Sequence, residues 1–219
     1  MITKKIRVAE LWRYPVKSLA GEPLDSAEVS ADGIPGDRVV QVYDPEGRIV
    51  TARTAPRLLG LKATLGPMNE PLVDGRPWTV PGVAAAIEAA AGAGAWLARD
   101  DGLDRFDVLP LLVATDGAVS ALGLDRRRFR PNIFVAGVNG LAERMWPGRR
   151  ARIGEAILGF KKLRGRCVMT TYDPDTLEHD PTVLRRIVQE MGGRLALDTY
   201  VLRGGRVAVG DPVELLSPG

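Results

Sequence analysis

The chain of 219 residues has one cysteine, Cys167, and one histidine, His179. A single cysteine excludes an intramolecular disulfide framework, so the cytoplasm is the expected location. One Cys and one His cannot assemble a four-ligand structural zinc site, and an iron–sulfur cluster fails on the same count. No apolar run approaches the roughly 20 residues that cross a bilayer, so no membrane span is expected. The opening "MITKKIRVAELWRYPVKSL" has neither an apolar h-region nor a small-residue cleavage site, and does not read as a signal peptide. Aromatic residues make up only 5%, and the basic residues are scattered. That pattern argues against a nucleic-acid platform. There is no G-x-G-x-x-G and no P-loop lysine motif, hence no dinucleotide or nucleotide-triphosphate signature. No heptad and no exposed apolar helix stands out, so a monomer is expected.

Against those absences stands a 45% apolar content, enough for a sizeable core, and a net charge of +3 in which arginine outnumbers lysine 24 to 6. The planar guanidinium fork suits phosphate and carboxylate, which points to a small anionic ligand. Strand-like runs dominate. "KIRVAELWRYP" (5–15) alternates apolar and polar residues. "RVVQVYDPEGRIVTA" (38–52) reads as a hairpin around Asp-Pro-Glu-Gly. "RLLGLKATLG" (57–66), "RPWTVPG" (76–82), "RARIGEAILGFKKL" (150–163) and "CVMTTYD" (167–173) add further β-runs. "VLPLLVAT" (108–115) and "PNIFVAG" (131–137) predict buried strands, and 198–216 predicts a final hairpin turning at Gly204-Gly205. Three helices are expected, over 83–92, 115–123 and 180–193. The last has an Asp cap, a proline at its first position and a Gly-Gly stop. Many short strands and few helices predict a mainly β (α+β) fold, a barrel or sandwich. The Gly-, Pro- and Ala-rich stretch 66–106 suggests a soft boundary, with an N-terminal β-region over 1–106 and a second unit over 107–219.

The stretch "RGRCVMTTYDPDT" (164–176) raises the chemical question. A lone thiol can be a small buried hydrophobe, yet this one follows Arg164 and Arg166. Cations beside a thiol favour its thiolate. On a strand, 164 and 166 share one face and 167 takes the other, so contact requires a bend at Gly165. An activated thiolate suits a nucleophile, a sulfur carrier, or the single protein ligand of a metal that brings its other ligands along. A Cys–His pair would need His179, which sits in the turn-rich "DPDTLEHDPT".

Five ordered segments carry a resemblance: "LWRYPVKSLAGEPLDSAEVSADGIPGDR" (11–38), "GRIVTARTAPRL" (47–58), "RFRPNIFV" (128–135), "RCVMTTYDPDT" (166–176) and "VAVGDPVEL" (207–215). Together they resemble the MOSC proteins (molybdenum cofactor sulfurase C-terminal domain), in the branch with an N-terminal MOSC β-region that includes the mitochondrial amidoxime-reducing component and bacterial relatives. The resemblance implies a β-barrel core holding the molybdenum cofactor (Mo-molybdopterin), with Cys167 as the thiolate ligand of the metal and the catalytic position. It implies cofactor contacts from Lys17 and Ser18 ("YPVKS"), Arg38 ("DR"), Arg130 and Asn132 ("RPN"), Arg166, and Thr115 at a strand-to-helix turn. The implied activity is reduction of small N-hydroxylated or N-oxide substrates by removal of oxygen. The electrons would come from a separate flavin or iron–sulfur reductase, since the chain has no such centre. A non-catalytic carrier of the cofactor or of sulfur is the alternative. Pyridoxal phosphate is not expected, because no sulfurase domain precedes these segments. Two positions depart from the family pattern. Arg164 stands where relatives often have a second cysteine, and Asp198 where they often have Asn or Tyr.

Overall fold

The computed structural model describes residues 5–217. The fold is mainly β. One sheet orders eight strands as Val213–Leu215, Arg150–Ile153, Ala156–Gly165, Arg194–Arg203, Leu111–Thr115, Ile133–Ala136, Arg7–Arg13 and Glu22–Leu24. All neighbours described by register are antiparallel except Leu111–Thr115 with Ile133–Ala136, which run parallel.

The sheet curls until its Val213–Leu215 end meets the start of the Arg7–Arg13 strand. Val8 N donates to Asp211 O at 2.9 Å, Gly210 N to Val8 O at 2.8 Å, and Val213 N to Ile6 O at 3.0 Å. Closure in this way satisfies the backbone of what would otherwise be open edges. The strand Leu111–Thr115 shows why its sequence is an unbroken apolar run. Leu111 and Val113 face the barrel interior with Ile133, Val135, Leu158 and Leu197. Leu112 and Ala114 face outward, into a second cluster with Phe129, Phe134 and two helices. Both faces are buried, so the alternation of a half-buried strand is lost.

Three α-helices form among the described residues, one for each predicted. The first, α1 (Pro81–Ala91), buries Val83 and Ile87 against the N-terminal half. The second, α2 (Asp116–Leu122), is capped by Thr115, whose hydroxyl accepts from Ala118 N, and stops at Gly123 in the left-handed region. The third, α3 (Pro181–Met191), is capped by Asp180, stops at Gly192, and buries Val183, Ile187 and Met191 at four-residue spacing. None of the helices among the described residues is long and apolar enough to cross a membrane.

Residues 38–99 build two three-stranded sheets, Ile49–Val50/Val40–Tyr43/Trp96–Arg99 and Ala63–Leu65/Pro71–Val73/Arg76–Pro77. Their core includes Val16, Leu19, Val40, Val42, Leu58 and Ile87, with Met169 packed against it. That contact ties the turn after Cys167 to the N-terminal half.

Four expectations are corrected. Residues 167–173 form no strand: Val168–Thr171 is a 3₁₀ turn. The Thr170 hydroxyl donates to Cys167 O (2.9 Å) and that of Thr171 to Val168 O (2.6 Å), so two β-prone threonines stabilise a turn by bonding back to the chain. The expected hairpin over 198–216 does not close on itself. Gly205–Ala208 pairs instead with Ser26–Val29, and Val213–Leu215 with Arg150–Ile153. Residues 57–66 are largely a 3₁₀ turn, Pro56–Gly60, before the short strand Ala63–Leu65. In 76–82 only Arg76–Pro77 is extended, because Pro81 already opens α1.

Candidate functional site

The chain after the first barrel strand folds back on residues 37–40. Arg38 N donates to Tyr14 O (2.8 Å) and Lys17 N to Val40 O (2.8 Å), and the Ser18 hydroxyl accepts from Ala52 N (3.0 Å). These bonds set Lys17, Ser18, Arg38, Thr51 and Arg53 along one side of a pocket of about 100 Å³. The opposite side comes from Arg128, Arg130 and Asn132 and from the stretch Arg164 to Cys167 with Met169. A register shift between Leu163 and Gly165 ends the strand here. At and just after that irregularity Arg164, Arg166 and Cys167 all line the pocket.

Three of the pocket residues, Ser18 (φ 73°), Arg38 (φ 58°) and Arg130 (φ 53°), hold left-handed backbone. Side chains with a Cβ pay on the order of 1 kcal/mol for that conformation. Such strain persists where the surrounding contacts fix the side chain's direction. Here each strained residue turns a polar or cationic group into the pocket.

The electrostatics are one-sided. Lys17, Arg38 and Arg53 come from the N-terminal half, and Arg128, Arg130, Arg164 and Arg166 from the barrel. Asp107 is the one carboxylate on the lining. It pairs with Lys17 (3.2 Å) and Arg53 (2.6 Å). Burial acts to raise the Asp107 pKa, but Lys17 and Arg53 outweigh it and hold it below the usual carboxylate range. Burial likewise acts to lower the Arg53 pKa, yet Asp107 and the Cys167 side chain outweigh it and raise it. Arg53 is therefore a permanent cation beside the thiol.

Behind the lining, acids hold the other cations in place. Buried Asp37 accepts from Tyr14 N (2.7 Å), from Asn132 Nδ2 (3.2 Å) and from Arg38. Asp173 holds Arg128 at 2.8 Å, and fully buried Asp198 pairs with Arg164. Arg130 has no ion-pair partner among the described residues. Its guanidinium lies 4.3 Å from the Tyr14 ring centroid, and that of Arg38 lies 5.0 Å from the same centroid. Burial, with Arg38 adding, lowers the Arg130 pKa to about 10, and burial pushes Tyr14 up to about 12. Arg166 is lowered to about 10 by burial and by Arg164. Its Nη2 donates to Phe129 O at 3.0 Å, while its buried Nε has no partner among the described residues. A buried donor left unpaired costs free energy, and an acceptor placed in the pocket would recover it.

Seven of the eight predicted residues line this pocket: Lys17, Ser18, Arg38, Arg130, Asn132, Arg166 and Cys167. Thr115 does not. It is fully buried, caps α2, and donates to Glu143 Oε2 at 2.7 Å. Its hydroxyl is engaged inside the fold, away from the pocket lining. Asn132 borders the pocket, but its amide donates to Trp12 O and Asp37 Oδ2 and accepts from Leu112 N. It braces the site more than it faces a ligand. His179 is exposed, stacks on Tyr172 with ring centroids 4.8 Å apart, and is not on the lining. Arg53, Asp107 and Arg128 were not singled out from sequence. Arg53 and Arg128 do fall inside two of the resemblance segments, which was the available signal.

A β-barrel whose cationic pocket holds a single free thiol defines a narrow class. Residues 5–114 match the MOSC N-terminal beta barrel domain and residues 113–214 the MOSC domain, so the chain belongs to the MOSC family. It is 27% identical to human mitochondrial amidoxime-reducing component 1 over 95% of this chain and 82% of that protein. It is 28% identical to human mitochondrial amidoxime reducing component 2 over 77% of this chain and 67% of that protein. Among solved structures, the YUAD protein of Bacillus subtilis superposes with a TM-score of 0.55 at 15% identity, covering 98% of this chain and 97% of that one. That likeness is one of fold.

Proposed function

We propose that the pocket binds the molybdenum cofactor and that the protein is an oxidoreductase acting on N-hydroxylated compounds. The observation that carries this reading is one free thiol on a pocket wall lined by seven cationic side chains and one carboxylate. The donor set fits that group. Among the described residues no cluster of three or more His, Cys, Asp and Glu can hold a metal alone. A single thiolate suffices only for a metal that arrives with other ligands, and soft thiolates suit such metals. The cofactor's phosphate is an anion, which the cationic lining and the unpaired Arg166 Nε complement. The names of the amidoxime-reducing relatives support the same substrate chemistry.

In this reading Cys167 is the metal's protein ligand. Lys17, Arg38, Arg130 and Arg166 neutralise the bound anion, and the Ser18 hydroxyl keeps its proton to donate, because its oxygen accepts from Ala52 N. When bound, the cofactor supplies two-electron redox chemistry. The net change is amidoxime plus two electrons and two protons to amidine plus water, with the N–O bond broken. The electrons come from a separate flavin or iron–sulfur reductase. The protein's part is to orient the group through Cys167 and to hold its charge in a partly dry, preorganised site.

Protein purified from a host that makes the cofactor should carry molybdenum and pterin near one per chain. Both should be lost in Cys167→Ser. The loaded protein should reduce benzamidoxime with a chemical reductant. Wild-type protein without metal and pterin refutes the binding; metal without turnover refutes the oxidoreductase and favours a carrier of the cofactor.

A further inference from the structure

Among the described residues, four carboxylates pair with five of the seven cations on the pocket lining, and three of the four stand off it. Asp37, Asp173 and Asp198 hold Arg38, Arg128 and Arg164 from outside the lining. Asp107 stands on the lining itself, with Oδ1 3.2 Å from Lys17 Nζ and Oδ2 2.6 Å from Arg53 Nη2. Its two oxygens take the contacts that an incoming anion would make with those cations, and its charge opposes any such anion.

The chain around Asp107 lets this carboxylate leave. Buried Arg105 anchors the turn before it, donating to the carbonyls of Asp32 (3.0 Å), Asp37 (3.2 Å), Asp101 (2.8 Å) and Gly102 (2.9 Å). The next strand begins at Leu111. Between these fixed points the N–H groups of Asp107 and Val108 make no backbone hydrogen bond among the described residues. The Asp107 side chain is already 35% exposed. A change of rotamer can carry its carboxylate from the pocket into water without breaking a ladder or a helix. Asp37 and Asp198, both fully buried, have no such exit.

We infer that Asp107 is a displaceable counter-ion that sets the pocket's selectivity: an entering anion must take Lys17 and Arg53 from it, so a free inorganic anion is held weakly and a ligand that also bonds the Cys167 sulfur is held firmly. The inference rests on the cofactor reading above and adds the residue that decides which anions stay. Free phosphate gains ionic contacts alone and meets the carboxylate's repulsion. A ligand bonded to the thiolate has a contact that phosphate lacks. Between ligands, Lys17 and Arg53 stay paired with Asp107 instead of collecting phosphate.

The test is thermal melting of the full chain, purified from a host that does not make the cofactor, in graded phosphate or nitrate at about pH 8 and fixed ionic strength. The rise in Tm over the same variant's melt without added anion gives an apparent Kd. Asp107→Asn should tighten phosphate about tenfold and nitrate about threefold, since the charge removed acts twice on a dianion. Asp107→Glu keeps the charge and should stay within about twofold of wild type. Asp104→Asn makes the same charge change on an exposed residue of the same segment, off the lining, and should also stay within about twofold. Unchanged phosphate binding in Asp107→Asn, equal tightening in Asp104→Asn, or equal factors for phosphate and nitrate would each overturn the inference. Tightening in Asp107→Asn, with no molybdenum in wild type from a cofactor-making host, would uphold the counter-ion and refute the cofactor reading. Unchanged phosphate binding with near-stoichiometric molybdenum would refute the counter-ion and uphold the cofactor.

Discussion

Replacing Arg164 by leucine removes the only ion-pair partner, among the described residues, of a carboxylate that is 0% exposed. Asp198 pairs through Oδ1 with Arg164 Nε, and its Oδ2 has no hydrogen-bond partner among the described residues. Breaking a buried pair from one side typically costs about 3–5 kcal/mol, because the surviving charge stays buried and uncompensated. Arg164 borders the open pocket with its side chain 17% exposed, and Arg166 contributes positive potential nearby. The expected cost of Arg164→Leu is therefore at the lower end, about 3 kcal/mol. For a chain of this length that lowers Tm by roughly 9 °C. Adding Asp198→Asn removes the stranded charge and should restore stability to within about 1 kcal/mol of the wild type. Thermal melts followed by circular dichroism, on both singles and the double variant, close the cycle. A loss below about 2 °C in Arg164→Leu, or a double variant no more stable than that single, would refute the assignment of Arg164 as the charge that keeps Asp198 in the core.

Two further outcomes follow from the same coordinates. In Gly21→Ala the new Cβ would lie 2.5 Å from Tyr14 Cδ1 and closer still to the Arg13 carbonyl, which is backbone and cannot yield cheaply. The substitution should cost about 1–3 kcal/mol, and because the displaced ring carries Arg38 and Arg130, the rise in Tm produced by added sulfate should shrink; an unchanged sulfate response would separate the ring from anion binding. Burial raises the pKa of Glu143 above its ordinary 4.5, against the hydrogen bonds from Thr115 and Ala196 N. A raised folded-state value means its contribution is fully present below the unfolded value and is lost as pH rises through the folded one. Glu143→Gln should thus gain Tm relative to wild type as pH goes from about 4 to 7, and a gap that stays constant or narrows would show that the carboxyl is not the group being titrated.

What the sequence disclosed depended on how local the physics was. Thr115 with Gly123, and Asp180 with Gly192, bracket their helices because caps act within one turn. The buried strands around Val113 and Phe134 were readable because no polar residue interrupts them. The pairing of Gly205–Ala208 with Ser26–Val29 was not readable, since its partners lie about 180 residues apart and a Gly-Gly turn argues for the nearer strand. At the site, Lys17, Arg38, Arg130 and Cys167 could be named because each sits in a short motif. Thr115 falls off the pocket lining, because a hydroxyl at a strand-to-helix turn reads the same whether it caps the helix or faces a ligand, and here it caps α2 and bonds Glu143. Arg164 and Asp198 stood out as two separate departures from the family pattern. In three dimensions they are one ion pair, so each is the physical reason for the other.

The lacing of residues 6–8 to residues 210–213 has a consequence for how the protein is made. The first strand of the barrel leaves the ribosome about 200 residues before the segment it must meet, a delay of roughly 10–40 s at ordinary rates of translation. Through that interval Val8 and Leu11, both 0% exposed in the finished molecule, can pair with Glu22–Leu24 and later Ile133–Ala136 but have no closed barrel to enter. The barrel can close only when synthesis has passed residue 213, so closure must follow nearly the whole of translation.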